Sequence, residues 1–439
     1  MLLSRTVRIV PLVAERVREF LLRFVRDEER PFLSHVVRLG GGTAVGQLIV
    51  MLVTPILTRL YTPYEMGLFS LFLAFIGFVW VGTGLRYEMA VVSADNDQEA
   101  GLLTCASILS SVPVAVLFGL ALWVMIRLDV VSYGRLPYWS VPLAVFLLIV
   151  TQLLTSLRYW HVRRSEFSTI GKVLIAQGIG RAVVPVMAGV ASLGWIGLLL
   201  GETAGRLLGV HRMLTGVCLP FSAIARGGGR SLHQVCRKYW KFPLVSLPSS
   251  LLDGLALAIP FPIISRLFGI EKAGLFFLVM RLGTLPASFI SASVSDVFHA
   301  RVSNEYRANA DGVRHIVIDT SKTLLRIGLL AYTPVVFLSP LLFGWAFGRP
   351  WAPAGWTMTI LAPLALASLV VSPLSRLLLV ANRQGIKLIV DVLFLCLPAA
   401  GMVICRHCLY GGFEISLLVY VLISVVLYGL YFAIIVSVS

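Results

Sequence analysis

Charged side chains are scarce in this chain of 439 residues. Asp, Glu, Lys and Arg together make up 13% of it, whereas hydrophobic types make up 58%. Ordinary globular domains carry about 25% charged residues, and a soluble chain this poor in charge would have to bury far too much apolar surface. The composition therefore excludes a soluble protein and predicts a polytopic membrane protein.

Cysteine is also rare, and its pattern provides no framework. Among the six cysteines, only Cys405 and Cys408 have a suggestive C-x-x-C spacing, and no second pair accompanies them. A zinc or redox site of this type needs further ligands or a partner motif. We interpret the pair as structural, and predict neither a metal nor a cofactor.

No segment between the apolar runs is long enough to form a catalytic or nucleotide-binding domain. The longest, residues 218–241, contains three consecutive glycines at 227–229, but no Gly-Lys-Ser/Thr sequence follows them as in a phosphate-binding loop. We therefore predict a flexible linker and no enzyme activity. Energy for any transport would come from an ion gradient, the substrate gradient or a partner.

Long apolar runs predict about twelve transmembrane helices, since each crossing needs about 20 apolar residues. Residues 1–35 are instead amphipathic and rich in Arg, which predicts either an interfacial helix or a cytoplasmic tail. The predicted helices cover residues 36–60, 64–86, 99–127, 138–160, 168–190, 194–217, 242–268, 272–300, 320–346, 353–380, 384–405 and 413–437.

One motif occurs twice, at residues 55–69 and 262–276, without a gap and at a constant offset of 207 residues. In each copy an apolar helix ends near an Arg, and a polar break leads to a Gly in a second apolar helix. Six predicted helices separate the copies, so both enter the membrane from the same side. The repeat predicts two parallel six-helix lobes, residues 36–217 and 242–439, around a central cavity. Similar composition in two unrelated helical hairpins is the alternative.

The basic residues are distributed unevenly along the chain. Most of the 37 Lys and Arg residues fall in segments that would be cytoplasmic if the N-terminus is inside. This asymmetry predicts both termini on the cytoplasmic side of the membrane. It also accounts for the formal net charge of +16 without nucleic-acid binding, since no basic cluster is interleaved with aromatic residues in a soluble segment.

A few charges lie deep within the predicted spans, where each costs at least about 2.5 to 3.5 kcal/mol. Such residues are expected to face a cavity or a partner. Glu202 and Arg206 are four residues apart on one helix, and a structural ion pair is the alternative interpretation for them. The same alternative applies to Asp253 and Arg281 on neighbouring helices. Arg86 and Glu88 lie near the inner end of the second helix, where a two-residue spacing prevents them from sharing a helical face. The deep charges are Arg181, Glu202, Arg206, Asp253 and Arg281.

Short motifs in the two halves of the chain carry a resemblance to a known family. They lie at residues 41–47, 55–63, 67–69 and 85–88, and again at 241–248, 265–268, 273–276 and 281–286. They resemble the signatures of the Wzx-like bacterial oligosaccharide flippases of the multidrug/oligosaccharidyl-lipid/polysaccharide exporter superfamily. The resemblance implies a MATE-like all-α fold that opens alternately to each side. It also implies a polyprenyl-diphosphate-linked oligosaccharide as cargo, for O-antigen, capsule or exopolysaccharide synthesis at the bacterial inner membrane, with membrane lipids, a polymerase and glycosyltransferases as partners.

The deep arginines suit such a cargo, because guanidinium groups bind phosphate oxygens through charge-assisted and often bidentate hydrogen bonds. We predict that Arg281, Arg181, Arg86 and Arg206 bind the diphosphate. Asp253 and Glu202 would serve as counter-charges, or would exchange a proton or sodium ion that drives the cycle.

Three other function classes stay open at this point. A cation-coupled drug exporter of the same superfamily would favour acidic or aromatic groups over Arg in its cavity. A membrane-embedded polymerase or glycosyltransferase would need a large outer loop or a soluble donor-sugar domain. A structural scaffold is disfavoured by the number of charges at membrane depth.

Overall fold

The computed structural model describes residues 30–215, 217, 229–308, 312–381 and 383–438. Every regular element in these ranges is helical, which confirms the predicted all-α fold. The predicted interfacial segment lies mostly outside the described residues, as do Gly227 and Gly228 of the linker.

We number the helices α1 to α16 in chain order. The first copy of the repeat spans the end of α1 and the start of α2, and α11 begins within the second copy. The bounds are α1 Arg30–Leu60, α2 Pro63–Thr83, α3 Tyr87–Ala90, α4 Asp97–Arg127, α5 Ser140–Arg163, α6 Phe167–Val190, α7 Ile196–Leu214, α8 Gly229–Lys238, α9 Leu247–Ala258, α10 Pro260–Phe268, α11 Ile270–Ala308, α12 Val313–Phe347, α13 Ala352–Val371, α14 Arg376–Val380, α15 Gln384–Cys408 and α16 Phe413–Val438.

All twelve predicted spans have helical counterparts. The seventh is divided into α9 and α10 after a π-helical turn at Phe242–Ser246, and the tenth is divided into α13 and α14 by a turn at Pro373–Ser375. Within the described ranges, nine helices are long and apolar enough to cross a membrane by composition alone. Three further predicted spans, α1, α7 and α11, fall outside this set, and all three supply polar residues to the cavities between the lobes.

The sequence at residues 61–65 explains why α2 begins where it does. Thr62 caps the helix by accepting a hydrogen bond from the Glu65 backbone N–H at 3.3 Å, while the Glu65 side chain accepts one from the Thr62 backbone at 2.8 Å. Pro63 occupies the first turn, where its missing N–H removes no helical hydrogen bond. This capping box fixes the polar break of the first motif copy.

The linker prediction was wrong for the described part of residues 218–241, because Gly229–Lys238 forms the helix α8. This helix packs against the N-terminal lobe through Val235, which is buried. The Lys238 Nζ atom lies 2.7 Å from an Asp95 oxygen and 2.8 Å from a Glu99 oxygen. The hydrogen bond that Lys238 donates, together with its positive charge, lowers the pKa of Asp95. The second half of the linker is thus attached to one lobe.

The hydrophobic cores show how the lobes are arranged. One large cluster contains buried residues of both lobes, such as Leu57 and Phe69 together with Phe276 and Trp351. Toward the opposite end of the helices the cores separate, with one cluster around Leu103 in the N-terminal lobe and another around Val302 in the C-terminal lobe. The hydrophobic cores of the two lobes therefore merge at one end, which we call the closed end, and are separate at the other, which we call the open end.

The two copies of the repeated motif contact each other at the closed end. A Cβ atom on Gly67 would overlap the carbonyl oxygen of Ile270, and one on Gly274 would overlap the carbonyl oxygen of Pro63. The contact is reciprocal, since Ile270 and Gly274 occupy the places in the second copy that Pro63 and Gly67 occupy in the first. Such reciprocity is what a two-fold relation between similar elements produces.

Candidate functional site

A cavity of about 630 Å³ lies between the lobes. Helices α1, α2, α5, α6 and α7 form its N-terminal side, and α9, α10 and α11 form its C-terminal side. One wall is apolar and aromatic, with Phe69, Leu73, Ile76, Trp80, Phe261 and Phe277. The charged groups of the cavity are four arginines, Arg158, Arg181, Arg206 and Arg281, and a single carboxylate, Glu202.

Glu202 on α7 is shared between two guanidinium groups. The Arg181 Nη2 atom on α6 donates to Glu202 Oε1 at 3.0 Å, and Arg181 Nε lies 2.9 Å from Oε2. Arg206, one turn after Glu202 on the same helix, donates from Nε at 2.9 Å. One carboxylate therefore balances only one of the two positive charges that contact it.

Glycines place these three side chains within reach of each other. A Cβ atom on Gly205 would come within 2.6 Å of Arg181 Cγ, and one on Gly180 within 2.8 Å of Gly205 Cα. Because neither position carries a side chain, α6 and α7 approach closely enough for Arg181 to reach Glu202 across the helix pair. Larger residues at either position would separate the helices.

Some arginine donors in the cavity have no hydrogen-bond acceptor among the described residues. Arg206 Nη1 is buried and has no hydrogen-bond partner in the described part of the chain. Arg281 forms no ion pair with any described residue; its guanidinium lies 6.0 Å from the centre of the Phe277 ring. A buried donor without an acceptor costs about 1 to 3 kcal/mol, and more if it is charged. An anionic ligand would supply the missing acceptors.

The structure places four of the six predicted site residues in this cavity, namely Arg181, Glu202, Arg206 and Arg281. It adds Arg158, which lies near the end of the predicted helix 138–160. Thr151, Thr155 and Arg158 lie at positions i, i+4 and i+7 of α5 and all line the cavity. A polar stripe at this spacing in an apolar helix was the sequence signal that could have revealed Arg158.

Comparison with known proteins identifies the family. A sequence model described as "Polysaccharide biosynthesis protein" matches residues 56–355, which is more than half of the chain. The chain belongs to this polysaccharide biosynthesis protein family. The match confirms the resemblance predicted from the repeated motif. Among curated proteins, no sequence matches significantly.

Solved structures show the same fold. An inward-facing multidrug resistance MATE family transporter of the MOP superfamily matches with a TM-score of 0.65 and 13% identity, over 89% of this chain and 93% of that one. A MOP superfamily transporter from Pyrococcus furiosus, whose binding pocket is described as having reverse polarity, matches with a TM-score of 0.57 and 17% identity, over 91% and 94%. This polysaccharide biosynthesis family member therefore has a MATE-like fold.

Arg86 does not line the main cavity, and the geometry predicted for it was wrong. The second helix was expected to reach residue 86, but α2 ends at Thr83, and Leu85 and Arg86 both have left-handed backbone conformations. The bend brings Arg86 Nη1 to 3.6 Å from Glu88 Oε1, although a continuous helix would have kept them apart. Arg86 Nε also donates to the Ser250 hydroxyl of α9 at 3.0 Å. It is therefore a link between the lobes.

Glu88 is a buried carboxylate that the sequence analysis left unassigned. It is 1% exposed, and it accepts hydrogen bonds at 3.2 Å from Ser107 of α4 and from Gln152 of α5. Gln152 in turn accepts a hydrogen bond from Thr83 at 2.9 Å. The network ties α2, α4 and α5 together beside Arg86, and only tertiary structure brings its members into contact.

Asp253 was predicted to lie beside the cavity arginines as their counter-charge. This placement was wrong, because Asp253 does not line the cavity. Its partner is Lys387 of α15, whose Nζ lies 3.7 Å from Asp253 Oδ1 and 2.5 Å from Asp391 Oδ2. No ion pair between Asp253 and Arg281 is present among the described residues, so the expected structural pair of those two is wrong as well. Lys387 lies in the first turn of α15, near a predicted end of a span, and its sequence position does not indicate these partners. Ion coupling at Asp253 stays a prediction.

Replacement of Lys387 by Met is expected to lower the unfolding free energy by about 1 to 2 kcal/mol, because it leaves Asp253 and Asp391 facing each other without a cation. The effect stays below that of a fully buried pair because the Asp253 side chain is 50% exposed. Unfolding in detergent, followed by circular dichroism, measures the change.

The matched control is Lys322→Met on α12, where the side chain is exposed. Adding Asp253→Asn and Asp391→Asn to Lys387→Met is expected to recover most of the lost stability. If Lys387→Met unfolds like the unmodified protein, the cluster does not stabilise the C-terminal lobe.

Proposed function

We propose that this protein translocates a polyprenyl-diphosphate-linked oligosaccharide across the bacterial cytoplasmic membrane by alternating access. The transport step would serve the assembly of a surface polysaccharide such as O-antigen, capsule or exopolysaccharide. One observation carries the proposal, namely the excess of guanidinium groups in the interlobe cavity, where four arginines accompany one carboxylate. Membership of a polysaccharide biosynthesis family and the MATE-like transporter fold support it.

The diphosphate is the part of this cargo that is hardest to move through lipid, because its negative charges lose their hydration. Arginine is suited to replace that hydration, since its planar fork donates two parallel hydrogen bonds to phosphate oxygens and stays protonated. Arg281 has no anionic partner among the described residues, and Arg206 has a free buried donor. These two groups would therefore bind the diphosphate first.

Glu202 would keep the empty cavity stable. Without it, Arg181 and Arg206 would repel each other in a site with little water, where charges interact strongly. When the diphosphate arrives, Arg181 can donate to the ligand from another edge of its planar guanidinium while it keeps its contact with Glu202. Arg158 lies toward the open end and would attract the anion before it reaches Arg281. Arg86 contacts Ser250 outside the cavity and is left out of this binding set.

A drug exporter of the same superfamily is the second candidate, and the aromatic wall is the feature that favours it. Trp80, Phe261 and Phe277 could contact a flat organic cation. The surplus of guanidinium groups would repel such a cation, because like charges in a poorly hydrated cavity cost several kcal/mol. The cavity charge therefore favours an anionic cargo, and the aromatic wall suits the apolar and sugar portions of a lipid-linked oligosaccharide.

Replacing Arg281 by Ala is expected to abolish surface glycan export at normal protein levels, because it removes a deep cavity guanidinium that has no anionic partner among the described residues. Arg281→Lys retains the charge without the planar fork and should restore export only in part. Immunoblotting of surface polysaccharide, normalised to protein in the membrane fraction, measures both.

Arg266→Ala is the matched control, because this Arg also lies in the second half, is 60% exposed and has only a distant contact with Asp129 at 3.5 Å. It should export normally. If Arg281→Ala exports glycan at the level of Arg266→Ala, the diphosphate assignment fails.

The orientation we propose has both termini in the cytoplasm and the closed end outside. In a protein freed of its six cysteines, Arg349→Cys, beyond the end of α12, should react with a membrane-impermeant maleimide in intact cells. Ser231→Cys on α8 should react only after the cells are opened. Both side chains are exposed, so burial does not decide the result. The reverse labelling pattern would invert the orientation.

A further inference from the structure

A second cavity of about 330 Å³ adjoins the first between α1, α6 and α11. The two cavities share Gln177, Arg181, Arg281 and Thr284 in their linings. The guanidinium groups of the proposed diphosphate site therefore stand at the boundary between the two spaces. A group bonded directly to the diphosphate could therefore enter the second cavity while the diphosphate itself stays bound to Arg281.

The second cavity offers neutral hydrogen-bonding groups beyond those two arginines. Gln47 and Thr54 of α1, Gln177 of α6 and Thr284 of α11 line it. The Gln47 Oε1 atom is buried and has no hydrogen-bond partner among the described residues. The hydroxyls of Thr54 and Thr284 donate to carbonyls of their own helices at 2.8 and 2.7 Å, which leaves their oxygens able to accept.

Close packing of α1 on α6 positions the amide groups. A Cβ atom on Gly178 would lie 2.6 Å from the carbonyl oxygen of Gly46, and one on Gly46 would lie 2.7 Å from the carbonyl oxygen of Leu174. The backbones are thus in contact where Gln47 and Gln177 project. This part of the site is built by the fold and does not depend on a flexible loop.

We propose that the second cavity binds the sugar attached directly to the diphosphate, through hydrogen bonds to Gln47, Gln177 and Thr284. This inference rests on the proposed function. The first sugar is joined to the diphosphate through its anomeric oxygen, so it must lie beside the guanidinium groups. Its hydroxyls both donate and accept, and one of them would satisfy Gln47 Oε1. A polyprenyl chain in the same space would leave that oxygen desolvated and unpaired, which is unfavourable.

The test compares two soluble probes on the purified protein in nanodiscs, farnesyl diphosphate and farnesyl-diphospho-N-acetylglucosamine. Dissociation constants are measured by microscale thermophoresis for the unmodified protein, Gln47→Leu, Thr284→Val and Arg281→Ala. The unmodified protein should bind the sugar-bearing probe more tightly. Gln47→Leu should reduce that advantage about fivefold to tenfold without weakening farnesyl diphosphate binding. Arg281→Ala should weaken both probes.

The outcomes separate this inference from the proposed function. If neither probe binds the unmodified protein, both fail. If both probes bind equally well, or if both Gln47→Leu and Thr284→Val retain the sugar advantage, only the sugar subsite is overturned. Tighter binding of farnesyl diphosphate to Gln47→Leu would show that the cavity holds the prenyl chain. Thr284→Val provides the same comparison should Gln47→Leu not fold.

A different observation, the reciprocal contact of the repeated motif, supports a second inference. Pro63 and Gly67 on α2 meet Ile270 and Gly274 on α11 with no room for a side chain at either glycine. Beside them, the buried Trp351 donates from Nε1 to the carbonyl oxygen of Thr58 at 2.7 Å and so ties the two lobes together. Contacts of this closeness hold the cavity shut at this end.

We propose that the two glycines form the gate of the closed end, and that the lobes separate there when the cavity opens to that side. A side chain at Gly67 would clash only while the lobes are in contact, so it would favour the separated state. A permanent hinge at the same place would respond differently, since a clash would then destabilise the protein without changing the populations of two states.

Spin labels at Tyr64→Cys and Glu271→Cys in a background without the native cysteines report on this end, since both positions are exposed and correspond in the repeat. In Gly67→Ala, electron–electron double resonance should show a longer interlobe distance than in the unmodified protein. Gly429→Ala is the control, because nothing lies near a Cβ atom there. Trp351→Phe adds no volume and should produce a smaller shift in the same direction.

An unchanged distance in folded Gly67→Ala would overturn the gate and favour a fixed hinge. If Gly67→Ala does not fold, Trp351→Phe decides the question, and an unchanged distance in that variant overturns the gate as well. The proposal does not depend on the cargo, so it can stand even if the diphosphate assignment fails.

Discussion

The cost of placing a charge inside the membrane governs the centre of this molecule. A single carboxylate, Glu202, contacts both Arg181 and Arg206, and this shared ion pair allows two guanidinium groups to remain deep between the lobes. A one-to-one arrangement would have neutralised the site. Because one carboxylate serves two cations, and Arg281 stands nearby with no anion among the described residues, the cavity keeps a positive charge for a ligand to neutralise.

That arrangement depends on small residues in the helices around it. Gly180 and Gly205 bring α6 and α7 close enough for the ion pair, and Gly46 and Gly178 do the same for α1 and α6. Close packing of this kind is how helices associate in lipid, where the hydrophobic effect between apolar surfaces is absent. The same glycines that assemble the N-terminal lobe therefore set the distances within the cavities.

The charged groups outside the main cavity have different tasks. Arg86 joins the lobes through Ser250 and is held by the buried Glu88, while Lys387 joins α15 to α9 through Asp253. Both cations had sequence positions that suggested cytoplasmic ends of helices. In the fold they are structural links, and this distribution leaves the cavity arginines as the groups available to an anion.

The sequence alone determined the class of protein, the approximate helix boundaries and the helical repeat, because each depends on local hydrophobicity or on spacing along the chain. It also identified Arg181, Glu202, Arg206 and Arg281, since a charge in an apolar run is conspicuous wherever its partner lies. Tertiary structure alone decided the partners. Asp253 could not be assigned to Lys387, 134 positions later in the chain, because pairing depends on which helices are neighbours. Arg86 reached Ser250 because of two left-handed residues that hydropathy does not detect, and the second cavity beside Arg281 exists only because three distant helices meet there.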